Sequence, residues 1–149
     1  MTTIIEEPKI KETEKIIFNP IITHKNSYCP DLLKIEIDEE FTRIDFIYYA
    51  RTYYINGGWV QISKDTFIRP CGSESKFKLL QAVNIPIAPV KHHFKSTKDI
   101  LCYTLYFPAL PKGTTKIDII ESEAYGGNWF NFYGVSMEQV RTEKLIVGN

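Results

Sequence analysis

The chain has 149 residues, with 18 basic and 18 acidic side chains and a net charge of zero. This length fits one domain of roughly 100–200 residues, and the balanced charge provides no global field that would attract nucleic acid. No apolar run approaches the roughly 20 residues that cross a bilayer, so we predict no nucleic-acid partner and no membrane insertion.

The amino-terminal residues lack a basic start followed by an apolar core, so no secretory signal is expected. Cys29, Cys71 and Cys102 are odd in number and form no CxxC motif. This spacing excludes an obligatory disulfide framework, leaves room for one bridge, and favours reduced thiols. The sequence therefore predicts a soluble cytoplasmic protein.

Residues 1–30 differ from the remainder, because Pro8, Pro20 and Pro30 punctuate a stretch rich in Lys and Glu. Proline cannot donate a hydrogen bond to a central β-ladder. We therefore predict an extended amino-terminal arm, in which residues 15–18 and 21–24 could pair at a sheet edge. A short helix over residues 9–16 is the alternative.

From residue 31 onward, apolar and polar residues alternate with the period of two that marks half-buried strands. Turn signals such as DEE at 38–40 and NGG at 56–58 separate the segments, and only residues 136–145 have helical composition. This pattern predicts an all-β protein, an antiparallel Ig-like β-sandwich over residues 31–149. The predicted strands lie within 33–38, 43–48, 59–63, 66–70, 75–83, 99–107, 116–121 and 126–135.

Three segments, KFKLLQAVNIP, YTLYFPALPKGTTKIDIIE and NWFNFYGV, carry a resemblance to a family. They resemble the immunoglobulin-like accessory domains of uncharacterised Bacteroidota-type proteins, over roughly residues 40–136 of one sandwich. The resemblance implies a binding or assembly module and transfers no catalytic motif. A likeness of fold does not identify what such a module binds.

The stretch FIYYARTYYINGGWV, residues 46–60, is the most unusual in the chain because aromatic residues occupy both faces of a predicted strand. One interpretation is a central strand buried on both faces. The other is that Tyr49, Tyr53, Tyr54 and Trp59 form an exposed surface for a partner or a sugar. Aromatic residues are enriched in the hot spots of protein interfaces, so a protein partner would use this surface as readily as a carbohydrate would.

Motifs for catalysis are missing from the sequence. The adjacent histidines His92 and His93 would point to opposite faces of an extended segment, which makes a shared metal awkward. No GxSxG, Walker or GxGxxG motif occurs. We therefore predict a protein that is not an enzyme and has no catalytic residues, metal or cofactor, with a hydrolase built on Glu121 and Glu123 as the weakest alternative.

The sequence thus favours a protein-interaction or structural assembly subunit that associates with itself or with a protein partner. In this hypothesis the arm adds to the sheet edge of another subunit by β-augmentation. The alternative is a carbohydrate-binding module that uses the same aromatic residues. The predicted partner-binding residues are Ile16, Ile17 and Phe18 in the arm and Tyr49, Tyr53, Tyr54 and Trp59 on the docking face.

Overall fold

The computed structural model describes residues 7–8 and 13–138. Within these ranges the protein is all-β, apart from one 3₁₀ turn at Ile55–Gly57. No helix in this part of the chain is long and apolar enough to cross a membrane. The twelve strands are β1 (Lys15–Phe18), β2 (Ile22–Lys25), β3 (Asp31–Ile37), β4 (Phe41–Tyr49), β5 (Trp59–Val60), β6 (Phe67–Pro70), β7 (Phe77–Lys78), β8 (Gln81–Val83), β9 (His92–His93), β10 (Ile100–Pro108), β11 (Lys116–Ile120) and β12 (Phe132–Ser136).

Ten of these strands form two antiparallel sheets of five strands each. Sheet A has the order β1-β3-β4-β10-β8, and sheet B has the order β2-β12-β11-β6-β7. The sheets pack face to face around a single apolar core, and β5 and β9 form a separate two-stranded ribbon. The predicted antiparallel β-sandwich is therefore confirmed.

The alternation that predicted the strands also determines which side chains enter the core. In β10, Leu101, Tyr103, Leu105 and Phe107 all face sheet B and are buried. The opposite face is exposed at Cys102 but fully buried at Tyr106. The Tyr106 hydroxyl donates a hydrogen bond to Glu7, so residues of the amino-terminal segment cover this part of sheet A.

The two strands of the predicted arm lie in different sheets. β1 pairs with β3 at the edge of sheet A, and β2 pairs with β12 at the edge of sheet B. Ile17 points into the core and has 0% exposure. At β2, the Thr23 side chain lies so close to Gly134 that a Cβ at position 134 would overlap it. The arm thus closes one lateral side of its own sandwich.

One predicted strand, residues 75–83, is divided between the two sheets. β7 pairs with β6 in sheet B, whereas β8 pairs with β10 in sheet A. Between them, the Leu79 N–H donates to Thr66 O and the Leu80 N–H donates to Tyr106 O. The backbone therefore stays hydrogen-bonded while the chain passes from sheet B to sheet A. For this reason the alternation of apolar and polar residues over 75–83 continues without a break and does not reveal the change of sheet.

The two segments with helical composition have separate outcomes. Residues 15 and 16 of the helix considered over 9–16 belong to β1, and residues 9–12 lie outside the described ranges. In the predicted helix over 136–145, residue 136 ends β12, and residues 139–145 also lie outside.

Candidate functional site

Three loops meet at one end of the sandwich. They connect β2 to β3, β4 to β5 and β11 to β12. The ring of Tyr48, near the end of β4, packs against Phe130 of the third loop with centroids 5.4 Å apart. The Asn26 side chain of the first loop donates to Trp129 O of the third at 3.2 Å. The loops therefore form one continuous surface.

The predicted turn at NGG shapes the β4–β5 loop. Asn56 and Gly57 have φ values of 64° and 87°, in the left-handed region that asparagine and glycine tolerate best. A Cβ on Gly57 would lie 2.6 Å from the Ala50 Cβ and 2.7 Å from Ser96 O. Only glycine fits this close approach, and the turn it permits leads the chain directly into Trp59.

Arg51 organises the aromatic residues of these loops. Its Nε donates to the Tyr48 hydroxyl at 2.9 Å and its Nη1 donates to the Tyr53 hydroxyl at 3.1 Å. Its guanidinium also lies 4.2 Å from the ring centroid of Tyr28, a cation–π contact that orients the group. Tyr28 has a φ of 67°, an uncommon value for a bulky residue and one that clusters at functional sites.

A cleft of about 270 Å³ opens beside this arrangement, and we call it the aromatic cleft. Five aromatic residues line it: Tyr48, Tyr54, Trp59, Trp129 and Phe130. Four polar or charged residues line it as well: Arg51, Gln61, Glu121 and Asn128. Apolar walls with a few convergent polar groups are the usual composition of a small-molecule site.

Two buried polar atoms of residues that line the aromatic cleft have no hydrogen-bond partner among the described residues. They are Gln61 Oε1, an acceptor, and Trp129 Nε1, a donor. An unpaired buried polar atom costs about 1–3 kcal/mol, so nearly all such atoms in folded proteins are paired. Both side chains are half-buried and line the aromatic cleft.

Glu121 and Asn131 hold the floor of the cleft in place. The Glu121 carboxylate accepts the N–H groups of Ser63 and Phe130, each at 2.9 Å. Asn131 Oδ1 accepts the Glu121 N–H at 2.8 Å, and its Nδ2 donates to Ser122 O at 2.8 Å. Burial raises the pKa of Glu121, and the two N–H donors partly oppose this increase.

The structure brings together three of the four residues predicted for the docking face. Tyr53 and Tyr54 lie with ring centroids 4.6 Å apart, and Tyr54 and Trp59 line the aromatic cleft. Tyr49 is exposed but lies outside the cleft, beside Ile100 in sheet A. The four side chains are 46–59% exposed, whereas Tyr48, next to Tyr49 in the chain, is buried. The stretch is therefore neither wholly core nor wholly surface.

The predicted anchors of the arm are divided between core and surface. Ile17 lies in the core, while Ile16 and Phe18 alternate with it and are 37% and 54% exposed. β1 forms the edge of sheet A, and none of its residues lines the aromatic cleft. The partner-binding roles of the arm anchors and of the docking face remain predictions.

The other residues considered for catalysis or metal binding do not come together in one site. Glu121 is buried, whereas Glu123 is exposed and contacts Arg69 and Lys76 at 3.3 and 3.4 Å. Within residues 7–8 and 13–138, no group of three or more His, Cys, Asp or Glu could hold a metal. The three cysteines are free, and burial raises the pKa of Cys29 to about 11.

Sequence reasoning missed most residues of this site, among them Tyr28, Arg51, Gln61 and Trp129. Arg51 lies within the aromatic stretch, and a basic residue between two tyrosine pairs was the one available signal. The others come from separate segments that only the folded chain brings together.

No family model, no curated protein and no solved structure matches this chain. The resemblance to immunoglobulin-like accessory domains therefore remains a prediction, and the geometry of the aromatic cleft is what bears on function.

Proposed function

We propose that this protein is a non-enzymatic binding module that holds a carbohydrate in the aromatic cleft. The observation that carries the proposal is the composition of the cleft walls. Exposed rings of Tyr54 and Trp59 stand in the same concavity as Gln61 and Trp129, whose buried polar atoms have no partner.

A sugar ring matches these walls on both of its sides. Its C–H face is apolar and covers an aromatic ring, while its hydroxyl groups each donate and accept hydrogen bonds. An aromatic side chain supplies a large rigid contact area at a low cost in conformational entropy. At about 270 Å³, the cleft is near the lower end of ligand sites, which span roughly 300–1,000 Å³. It therefore fits one ring of a longer chain.

The hydrogen-bond pattern around Glu121 favours binding over hydrolysis. Glycoside hydrolysis uses two carboxyl groups that flank the scissile bond, roughly 5–9.5 Å apart. Glu121 is the one carboxylate among the described residues that line the cleft, and backbone N–H groups occupy both of its oxygens. Glu123 is held by Arg69 and Lys76 instead.

The proposal is tested by titrating the protein with a panel of soluble oligosaccharides and following tryptophan fluorescence and binding heat. Trp59→Ala should weaken binding roughly 5- to 140-fold, if a sugar ring gains from the aromatic side chain the about 1–3 kcal/mol that a stacked nucleic-acid base gains. Tyr49→Ala is the matched control, since Tyr49 is equally exposed but lies outside the cleft. If no member binds, or if both variants weaken binding equally, the proposal is wrong.

A second candidate function, protein association through β1, is favoured by a separate observation. β1 is an edge strand that presents Ile16 and Phe18 outward, and Ile21 beside it is 64% exposed. Exposed apolar edge strands are ready templates for pairing with another chain. Because β1 already pairs with β3 of its own chain, the added strand would lie along its outer edge.

Deleting residues 1–20 would remove Ile17 from the core, so substitution is the better test of this candidate. Ile16→Lys combined with Phe18→Lys retains Ile17 and charges the outer side of the strand. We expect an oligomer of the wild type to become a monomer in light scattering after size exclusion. Val90→Lys, at a similarly exposed position elsewhere, should leave the oligomer intact. A monomeric wild type would exclude stable self-association at the concentrations tested.

A further inference from the structure

We infer that Arg51 receives a carboxylate of the ligand, so that the carbohydrate of the aromatic cleft is an acidic one, built from uronic acid units. This inference rests on the proposed function and specifies its ligand. Arg51 differs from the other arginines of the described chain.

Three arginines lie within the described ranges, and two of them have carboxylate partners. Arg43 contacts Asp45 at 3.3 Å and Glu7 at 3.8 Å. Arg69 contacts Asp118 at 3.1 Å and Glu123 at 3.3 Å. Arg51 forms no ion pair with any carboxylate of residues 7–8 and 13–138; its hydrogen bonds go to two neutral tyrosine hydroxyls.

The guanidinium of Arg51 is fixed in position without being neutralised. Nε and Nη1 are committed to Tyr48 and Tyr53, and one face covers the ring of Tyr28. The described residues provide no hydrogen-bond acceptor for Nη2. Planar guanidinium groups recognise carboxylates through directed, charge-assisted hydrogen bonds, and prior orientation reduces the entropy lost on binding.

A second cation lies on the same side of the molecule. Lys91 Nζ is 4.3 Å from the ring centroid of Trp59, and no carboxylate in the described part of the chain pairs with it. Glu121, the acidic residue of the cleft wall, forms no ion pair with Arg51 or Lys91 among the described residues, and its oxygens accept hydrogen bonds from Ser63 and Phe130. The cleft and its rim therefore carry two cations that have no ion-pair partner in the described part of the chain, beside rings suited to a sugar.

These observations select the ligand class. A neutral sugar would satisfy the rings but leave the charge of Arg51 without a counter-ion. An acidic peptide would satisfy the charge, but it has no flat ring with an apolar face and a hydroxyl edge for Tyr54, Trp59, Gln61 and Trp129. A uronic acid unit provides the ring and the carboxylate together.

The test compares acidic oligosaccharides with their own carboxyl-reduced forms, in which each carboxylate has become a neutral hydroxymethyl group. The probes are oligogalacturonate, oligomannuronate and hyaluronan fragments, each with its reduced counterpart, together with an oligoglutamate peptide. We expect wild-type protein to bind at least one acidic member at least tenfold more tightly than its reduced form. That preference should shrink with added salt, because the charge interaction is screened.

Variants locate the preference on Arg51. Arg51→Gln should abolish the difference between the acidic and reduced forms, and Arg51→Lys should retain only part of it because the planar fork is lost. Arg69→Gln is the matched control, since that arginine lies outside the cleft and is already paired. Should Arg51→Gln disturb the loop fold, the partial loss of preference in Arg51→Lys, set against Lys91→Gln, decides whether Arg51 or Lys91 receives the carboxylate.

The outcomes separate the two proposals. Equal affinity for acidic and reduced forms would overturn the role of Arg51 while leaving carbohydrate binding in place. Equal or tighter binding of the oligoglutamate peptide would overturn the assignment to a saccharide. Binding of none of these probes, combined with binding of a neutral member of the wider panel, would overturn the acidic ligand alone. Failure of every saccharide would overturn both.

Discussion

The position of Ile17 leads to a prediction about the arm as a whole. Ile17 is completely buried between the sheets, whereas Ile16, its neighbour in β1, is 37% exposed. Replacing a buried isoleucine with alanine costs about 2–5 kcal/mol, from lost transfer energy and the remaining cavity. The same change at an exposed position usually stays within about 0.5 kcal/mol. We therefore expect Ile17→Ala to be far more destabilising than Ile16→Ala.

Urea unfolding, followed by far-UV circular dichroism, measures this difference. With a urea m value of about 2 kcal/mol/M, a loss of about 3 kcal/mol lowers the unfolding midpoint by about 1.5 M. A total stability of about 5–15 kcal/mol leaves the variant folded in buffer. Equal midpoints for the two variants would refute the reasoning, because β1 would then contribute nothing to the core in solution.

Three further predictions concern single positions. Gly57→Ala should lower the melting temperature more than Gly72→Ala. Both glycines have a positive φ, which costs alanine about 1–2 kcal/mol, but only at position 57 would the new Cβ also overpack its neighbours, at a further cost of about 1–3 kcal/mol. Equal shifts in melting temperature would contradict this prediction. Burial raises the pKa of Glu121 above its ordinary value of 4.5, so the folded state binds the proton more tightly than the unfolded state. The stability contributed by this group should therefore fall as pH rises from 4.5 through the raised pKa, and Glu121→Gln, measured by urea midpoints across pH, should remove that component; an unchanged profile would contradict it. Burial raises the pKa of Cys29 to about 11, whereas Cys102 is exposed. Cys29 should therefore react with a thiol-specific disulfide reagent at pH 8 far more slowly than Cys102. Equal rates for the two thiols in a stopped-flow assay would contradict the burial of Cys29.

The long strands could be predicted because their side-chain pattern is local. β4 and β10 alternate over nine residues each, and the burial of their inward side chains follows that alternation. The turns at DEE and NGG were equally readable, because asparagine, aspartate and glycine have local conformational preferences. Such signals require no knowledge of which strand lies beside which.

The division of residues 75–83 and the composition of the cleft could not be predicted in this way. A strand that changes sheet keeps its alternation, so only its partners, Phe67 on one side and Thr104 on the other, distinguish the two halves. Trp129 and Gln61 enter the cleft through a loop and a short ribbon segment, whose positions depend on packing between distant parts of the chain. The exposure of Trp59 likewise depends on a turn whose geometry comes from contacts with Ala50 and Ser96.

The placement of β1 and β2 in opposite sheets has a consequence for how the molecule assembles. β1 finds its partner β3 nearby in the chain, but β2 must pair with β12, and Thr23 and Gly134 are 111 residues apart. Pairings of such long range are slow to form, because the entropy of closing the loop is lost before any contact compensates. During synthesis on a ribosome, β2 therefore lacks its partner until the segment around Gly134 has been made, whereas β1 and β3 have all their partners once β4 is complete.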